Sequence, residues 1–139
     1  LVLERLTESL GIAPRVSFVG SVSNIPARLA QADLVCVPSR WDGQNLALLE
    51  AVGSGVPVLV QDLPVFHESF DDSMIGYVPL STPEAWTQAI DGALQSSSLP
   101  LLRAYQAQIQ AERLFSRTRM ADEYVACYQK ILSRNLSRH

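Results

Sequence analysis

Two short runs of the chain are apolar at every position, and they constrain the fold more than any other feature. Residues 34–37 read Leu-Val-Cys-Val and residues 57–60 read Pro-Val-Leu-Val. A strand with one face in water would alternate apolar and polar residues, whereas a strand of a parallel sheet is covered on both faces. Because helical patterns separate these runs, they predict a doubly wound α/β fold around a parallel sheet.

The remaining elements are predicted from similar patterns. Residues 16–19 precede Gly20 and predict a strand, and residues 76–79 predict a fourth one. Helices are expected at the start of the chain and at residues 24–30, 45–52, 83–95, 99–114 and 117–133. Residues 1–139 therefore form one predicted domain, whose helical tail covers about 99–139.

The length and the first residues indicate a piece of a larger protein. With 139 residues the chain fits one domain but is short for an enzyme that holds two substrates between lobes. It begins at Leu1 within a helical pattern, so we expect a domain truncated at its N-terminus. No apolar run approaches the ~20 residues of a membrane span. Cys36 and Cys127 suit buried thiols in a reducing compartment, which predicts a cytoplasmic location.

Charge is distributed unevenly along the chain. The net charge is −3, yet residues 1–98 hold 4 basic and 11 acidic residues while residues 99–139 hold 7 basic and 3 acidic ones. The basic tail is compatible with docking against another domain or with peripheral contact at the inner face of a membrane. A solvated helical face explains the same charges more simply, and nucleic acid is not an expected partner.

The loop after residues 34–37 is the richest candidate site. Ligands of open α/β sheets bind at the carboxyl ends of the strands, which places Gly20 and the loops after Val37 and Val60 at the ligand edge. The loop of residues 38–45 runs directly into a helix whose free N–H groups favour a phosphate. Gly43 allows close approach of a ligand, although turns and caps need the same residue types.

Glu50 is a more specific signal. Its helix, Leu46-Ala47-Leu48-Leu49-Glu50-Ala51-Val52, is apolar almost all round, which predicts a buried helix with Glu50 as its lone charge. The structural alternatives are a salt bridge to an arginine or a carboxylate at the rim in reach of water. The functional alternative is that Glu50 accepts hydrogen bonds from a ribose. Five residues of helix span about 7.5 Å, roughly the distance from a diphosphate to its ribose.

Several ordered motifs resemble the C-terminal domain of the group 1 glycosyltransferases, which are retaining, nucleotide-sugar-dependent enzymes with two Rossmann-like domains. They are Val-Ser-Phe-Val-Gly at 16–20, Ala-Asp-Leu-Val-Cys-Val-Pro-Ser at 32–39, Asp42-Gly43 leading to Leu49-Glu50-Ala51, Gly-Val-Pro-Val at 55–58, and Glu68 after Pro64. The likeness covers residues 1 to about 133, because residues 115–132 are similar to the closing helices of that domain.

The resemblance implies a donor site at two acidic residues that are separated by seven others. Asp42 takes the first place, as the catalytic residue that contacts the transferred sugar, and Glu50 takes the second, on the ribose. The family usually has glutamate at the first place, followed by Gly-Phe-Gly, whereas this chain has Asp42 followed by Gly43-Gln44-Asn45. The family's phosphate-binding arginine and lysine lie upstream of the opening helix, in a segment that this chain does not contain.

Other residues complete the predicted donor-binding set. The resemblance implies that the backbone N–H groups of Gln44, Asn45 and Leu46 take the phosphate-binding role, and Gly43, Ser39, Arg40 and Gly20 are further predicted donor-binding residues. Arg40 and Trp41 could stack on a base or reach a phosphate. Alternatively, Arg40 neutralises Asp42 and Trp41 covers the edge of the core.

Two residues after the third strand are further candidates. His67 is either a general base or, more simply, a hydrogen-bonded surface or capping group. Glu68 matches an acidic position of the family, and its structural alternative is a carboxylate favoured by a helix dipole.

What the resemblance implies is transfer of a sugar from a nucleoside-diphosphate sugar to a glycan or glycolipid acceptor, with the anomeric configuration kept. The acceptor would bind a missing N-terminal domain, no metal or cofactor is expected, and the fragment alone should be inactive. The alternative is a non-catalytic nucleotide-binding or interaction module with the same fold. A flavodoxin-like regulatory domain is disfavoured, because no acidic cluster follows a strand near the chain start.

Overall fold

A three-stranded parallel sheet lies at the centre of the computed structural model, which describes residues 2–43, 45–79, 81–95 and 99–136. Before the sheet come α1 (Val2–Ser9), a short 3-10 turn (Ala13–Arg15) and α2 (Ile25–Leu29). The sheet and its connections comprise β1 (Val35–Val37), α3 (Leu46–Gly53), β2 (Val58–Gln61), α4 (Pro64–His67) and β3 (Gly76–Val78). The helices α5 (Pro83–Gln95), α6 (Leu99–Phe115) and α7 (Arg117–Leu136) follow.

The sheet confirms the predicted α/β class. Its strand order is β1-β2-β3 and both ladders are parallel, with Val37 opposite Val60 and Gln61 opposite Val78. All four residues of β2 are buried, as expected for a central strand that is apolar on both faces. Gln61 is the polar exception, and its amide is satisfied by the Val78 carbonyl and the Ser81 hydroxyl at 2.7 and 2.8 Å.

The core lies where the sheet meets α3, α4 and α6. Val52 and Val60 are fully buried and pack together with Phe66 of α4. Leu59 points the other way and lines a cavity together with Ala89 of α5. Helices therefore cover both faces of β2, which is the arrangement that its apolar sequence predicts.

The predicted strand at residues 16–19 does not form. These residues are exposed, and Val16 has an extended backbone with φ −118° and ψ 127°. In the part of the chain that the structure describes, the ladders join only β1 to β2 and β2 to β3. An apolar, β-branched sequence favours extended backbone, but a strand also requires a partner ladder, and none is present for this segment.

The two cysteines are exposed, which corrects the prediction of buried thiols. Cys36 is the exposed middle residue of β1, which pairs on one side with β2; among the described residues no strand pairs with its other side. Its remaining neighbours still desolvate the thiol enough to raise the pKa of Cys36. Cys127 lies on α7, which packs against α6. No helix among the described residues is long and apolar enough to cross a membrane.

Candidate functional site

The loop between β1 and α3 is organised by the side chain of Asn45. Its Oδ1 accepts a hydrogen bond from the Leu48 N–H at 2.8 Å, so Asn45 is the N-cap of α3. Its Nδ2 donates to Oδ2 of Asp42 and lies 3.5 Å from the hydroxyl oxygen of Ser39. Asn45 therefore ties the predicted sugar-contacting carboxylate to the first turn of the helix.

The cap leaves part of the helix N-terminus open. The Leu48 N–H is occupied by the cap, whereas no acceptor among the described residues pairs with the N–H groups of Leu46 and Ala47. Unpaired N–H groups at the positive end of a helix dipole favour an anionic oxygen. Gln44, another predicted phosphate contact, lies outside the described residues.

Glu50 is exposed, so the prediction of a buried lone carboxylate is wrong. The helix α3 buries Leu48, Ala51 and Val52 against the sheet and neighbouring helices, while Leu46 on the opposite side is 69% exposed. Within the described residues, the Glu50 carboxylate forms no ion pair. The structure thus agrees with the alternative in which this carboxylate reaches water, and the apolar sequence of α3 does not mean that it is buried all round.

Three cavities lie beside α3, and they are lined by some of the predicted site residues but not by Asp42. One of about 360 Å³ is lined by Gly43, Asn45 and Glu68, which brings together two loop residues and the acid after α4. Another of about 680 Å³ lies between α3 and α6 and is lined by Leu46 and Glu50. A third of about 580 Å³ lies between the start of α3 and α7. Leu49 and Phe115 line all three cavities.

Gly20, Arg40 and Trp41 are exposed and line none of these cavities. Gly20 has a positive φ of 62°, a backbone conformation that favours glycine, but the strand that it was predicted to end does not form. Arg40 is exposed and makes no ion pair with Asp42, so the neutralising role is not supported. Trp41 is 86% exposed, which excludes a role in covering the core edge.

His67 forms a hydrogen bond with Asp62 and stacks on Tyr77. Its Nε2 lies 2.7 Å from Oδ1 of Asp62, and its ring stacks on Tyr77 with centroids 3.9 Å apart and planes 10° from parallel. The Tyr77 hydroxyl donates to the Phe70 carbonyl at 2.8 Å. Burial raises the pKa of Tyr77, with smaller contributions from Asp72 and Asp62. The arrangement agrees with a hydrogen-bonded surface role for His67, and the general-base alternative stays a prediction.

The side-chain role of Asn45 is the feature that sequence reasoning missed. Asparagine directly before an apolar helical run is a recognised N-cap signal, and it identifies the bond to Leu48. The bond to Asp42 has no comparable local signal. No group of three or more His, Cys, Asp and Glu residues in the described ranges could hold a metal ion. The expectation that no metal is needed stays a prediction.

The family of the chain follows from comparison with known sequences. The family model described as "Glycosyl transferases group 1" matches residues 2–96, which is more than half of the chain. The chain therefore belongs to the group 1 glycosyltransferases, as the ordered motifs indicate.

Individual relatives are glycosyltransferases of bacterial biosynthesis. The lipopolysaccharide core biosynthesis mannosyltransferase LpsB of Rhizobium meliloti is 43% identical over 65 residues, which cover 47% of this chain and 18% of that protein. A D-inositol 3-phosphate glycosyltransferase of Mycobacterium leprae is 30% identical over 134 residues, covering 94% of this chain and 31% of that one. The chain thus spans a third or less of the length of these two relatives.

Solved structures share the fold. The sucrose-phosphate synthase of Thermosynechococcus elongatus superimposes with a TM-score of 0.87 at 20% identity, covering 95% of this chain and 34% of that one. Anabaena HepE, solved in complex with UDP, gives 0.86 at 20% identity, covering 93% and 36%. WaaG, a glycosyltransferase involved in lipopolysaccharide biosynthesis, gives 0.70 at 27% identity, covering 80% and 30%.

Proposed function

We propose that this chain is the donor-binding part of a retaining glycosyltransferase, which moves a sugar from a nucleoside-diphosphate sugar to a glycan or glycolipid. The observation that carries the proposal is the start of α3, where the N–H groups of Leu46 and Ala47 have no acceptor among the described residues. HepE, a fold neighbour, was solved with UDP, and the names of LpsB and WaaG refer to lipopolysaccharide biosynthesis.

The diphosphate of the donor suits the N-terminus of α3. Negative charge builds on the leaving diphosphate as the bond to the sugar breaks, and preorganised N–H donors stabilise that charge without rearrangement. Leu46 and Ala47 supply two such donors, and Gly43 leaves room for the phosphate next to them because it has no side chain. In this proposal the diphosphate lies against the first turn of α3.

In this proposal the two acidic residues, Asp42 and Glu50, contact the two ends of the donor. Asp42, which lies before the first turn of α3, contacts the sugar that is transferred. Glu50 lies four residues after Leu46, about 6 Å along the helix axis and on the same side, where it accepts hydrogen bonds from the ribose. Its exposure leaves its lone pairs available to the ribose hydroxyls.

The remainder of the proposed enzyme supplies what this chain lacks. The relatives are about three times as long as the matched region, and we assign acceptor binding and the cationic phosphate contacts to the additional domain. The protein is proposed to be cytoplasmic, with peripheral contact at the inner face of the membrane where a lipid-linked acceptor is available. The fragment alone should show no transferase activity, because it lacks these groups.

Calorimetry and transfer assays on the full-length protein test the proposal. A panel of UDP-, GDP-, ADP- and dTDP-sugars should include at least one that binds, and the same donor should support transfer with retained configuration. Asp42→Asn keeps an acceptor for the Asn45 amide but removes the charge, so it should lower kcat strongly while donor binding is largely kept. Failure of every donor in the panel to bind would contradict the proposal.

A non-catalytic module remains the second candidate, and one observation favours it. The Asp42 carboxylate already has the Asn45 amide as a partner, with Ser39 nearby, so it has less freedom to meet a sugar. This candidate predicts that a nucleotide binds but that no donor of the panel supports transfer or hydrolysis.

A further inference from the structure

Two of the three positions at which the loop departs from the family pattern, Asp42 and Asn45, are in direct contact. The family usually has glutamate where this chain has Asp42, and glycine where it has Asn45. In the structure the Asn45 amide donates to the Asp42 carboxylate. A glycine at position 45 could not make this bond, because it has no side chain.

The amide that holds Asp42 is itself fixed. Oδ1 of Asn45 is bonded to the Leu48 N–H at 2.8 Å, so the other end of the same planar amide group has a defined direction. Asp42 and Asn45 are both half-buried, which limits competition from water. Aspartate is one methylene shorter than glutamate, and the bond from Asn45 restricts this shorter carboxylate to one position next to the helix.

We propose that Asp42 and Asn45 act as one coupled pair, in which Asn45 is a positioning residue that replaces the family's glutamate-and-glycine combination with aspartate and asparagine. The inference rests on the proposed function, since it assumes that Asp42 contacts the transferred sugar. It predicts that neither residue can be changed alone to its family counterpart without loss, whereas changing both together is tolerated.

The first experiment is a double-mutant cycle in the full-length protein, using the best donor from the nucleotide-sugar panel. Asp42→Glu and Asn45→Gly should each lower kcat about tenfold or more, since misplacing a reacting group by 1 Å has effects of this order, while KM for the donor changes little. The double variant should return to within about threefold of the wild-type kcat. If Asp42→Glu alone matches the wild type, or if the two effects simply multiply, the pair is not coupled.

A second variant separates positioning from helix capping. Asn45→Ser keeps an N-cap oxygen for the Leu48 N–H but lacks an amide to hold Asp42, so kcat should fall as in Asn45→Gly, while the unfolding temperature falls less than in Asn45→Ala, which also loses the cap. Wild-type kcat in Asn45→Ser would overturn the positioning role.

The matched control is Asn24→Ser. Asn24 caps α2 through a 3.1 Å bond from the Ala27 N–H, and its side chain has no carboxylate partner among the residues described. This variant should leave both kcat and KM unchanged; a matching fall in kcat would mean that an asparagine-to-serine change at any N-cap has this effect, and it would overturn the inference. A wild-type protein that binds no donor contradicts the proposed function and the inference together. An active wild type with independent variants contradicts the inference alone.

Discussion

The two sides of α3 have the same apolar sequence character but opposite surroundings. Val52 and Ala51 are fully buried against the core, whereas Leu46 is 69% exposed and Glu50 lies on the same open side. The buried side stabilises the fold. The open side leaves the helix N-terminus and a carboxylate accessible, which is what a ligand site requires. Substitutions on the buried side of α3 should therefore affect stability, and substitutions on the open side should affect the proposed function.

The largest effect on stability is expected on the buried side. Val52→Ala removes two methyl groups from a fully buried position, so the free energy of unfolding should fall by about 2–3 kcal/mol. Leu46→Ala, the matched control on the open side, should change it by less than about 0.5 kcal/mol. Thermal and urea unfolding of the two variants measure the difference. Equal losses would mean that the open side is covered by another part of the protein.

A smaller effect is expected at Asn45, the N-cap of α3, and Asn24, the N-cap of α2, serves as the comparison. Asn24→Ala should lower stability by about 1 kcal/mol, the usual value for an N-cap. Asn45→Ala should lower it further, because half-buried Asp42 also loses its hydrogen-bond donor. Urea denaturation of both variants compares the losses. If the losses are equal, the bond between Asn45 and Asp42 contributes nothing to stability.

The smallest effect is expected at His67, which lies outside the proposed donor site. The pair of His67 and Asp62 is exposed, with 43% of each side chain accessible, and such pairs contribute less than about 1 kcal/mol. His67→Gln should leave kcat within about twofold of the wild type, because the proposed transfer at α3 gives this residue no proton to move. A 100-fold fall in kcat would restore the general-base hypothesis for this residue.

Local signals predicted most of the fold. β1 and β2 are apolar at nearly every position, and α3 begins after an asparagine and ends near Gly53 and Gly55, so their positions could be predicted to within a residue or two. Residues 16–19 have an equally good strand pattern, but pairing depends on a neighbouring backbone that a local pattern does not specify. The exposure of Cys36 could not be predicted for a similar reason, because it depends on which part of the chain packs against β1.

The candidate site was predictable only in part for the same reason. Family motifs identify Asp42 and Glu50 by their spacing, and no tertiary information is needed to place them near the start of one helix. The burial of Glu50 was predicted wrongly, because an apolar sequence does not determine how many sides of a helix are covered. The bond from Asn45 to Asp42 depends on the loop conformation, and the grouping of Glu68 with Gly43 depends on how α4 packs beside α3.

Donor binding by Glu50→Ala in the full-length protein is the most direct test of the account. Glu8→Ala on α1, another exposed glutamate, is the matched control. Loss of hydrogen bonds to a charged group should weaken donor binding by about 10–100-fold in Glu50→Ala, with no change in the unfolding temperature and no change in Glu8→Ala. Wild-type affinity in Glu50→Ala would contradict the assignment of the donor site to the open side of α3.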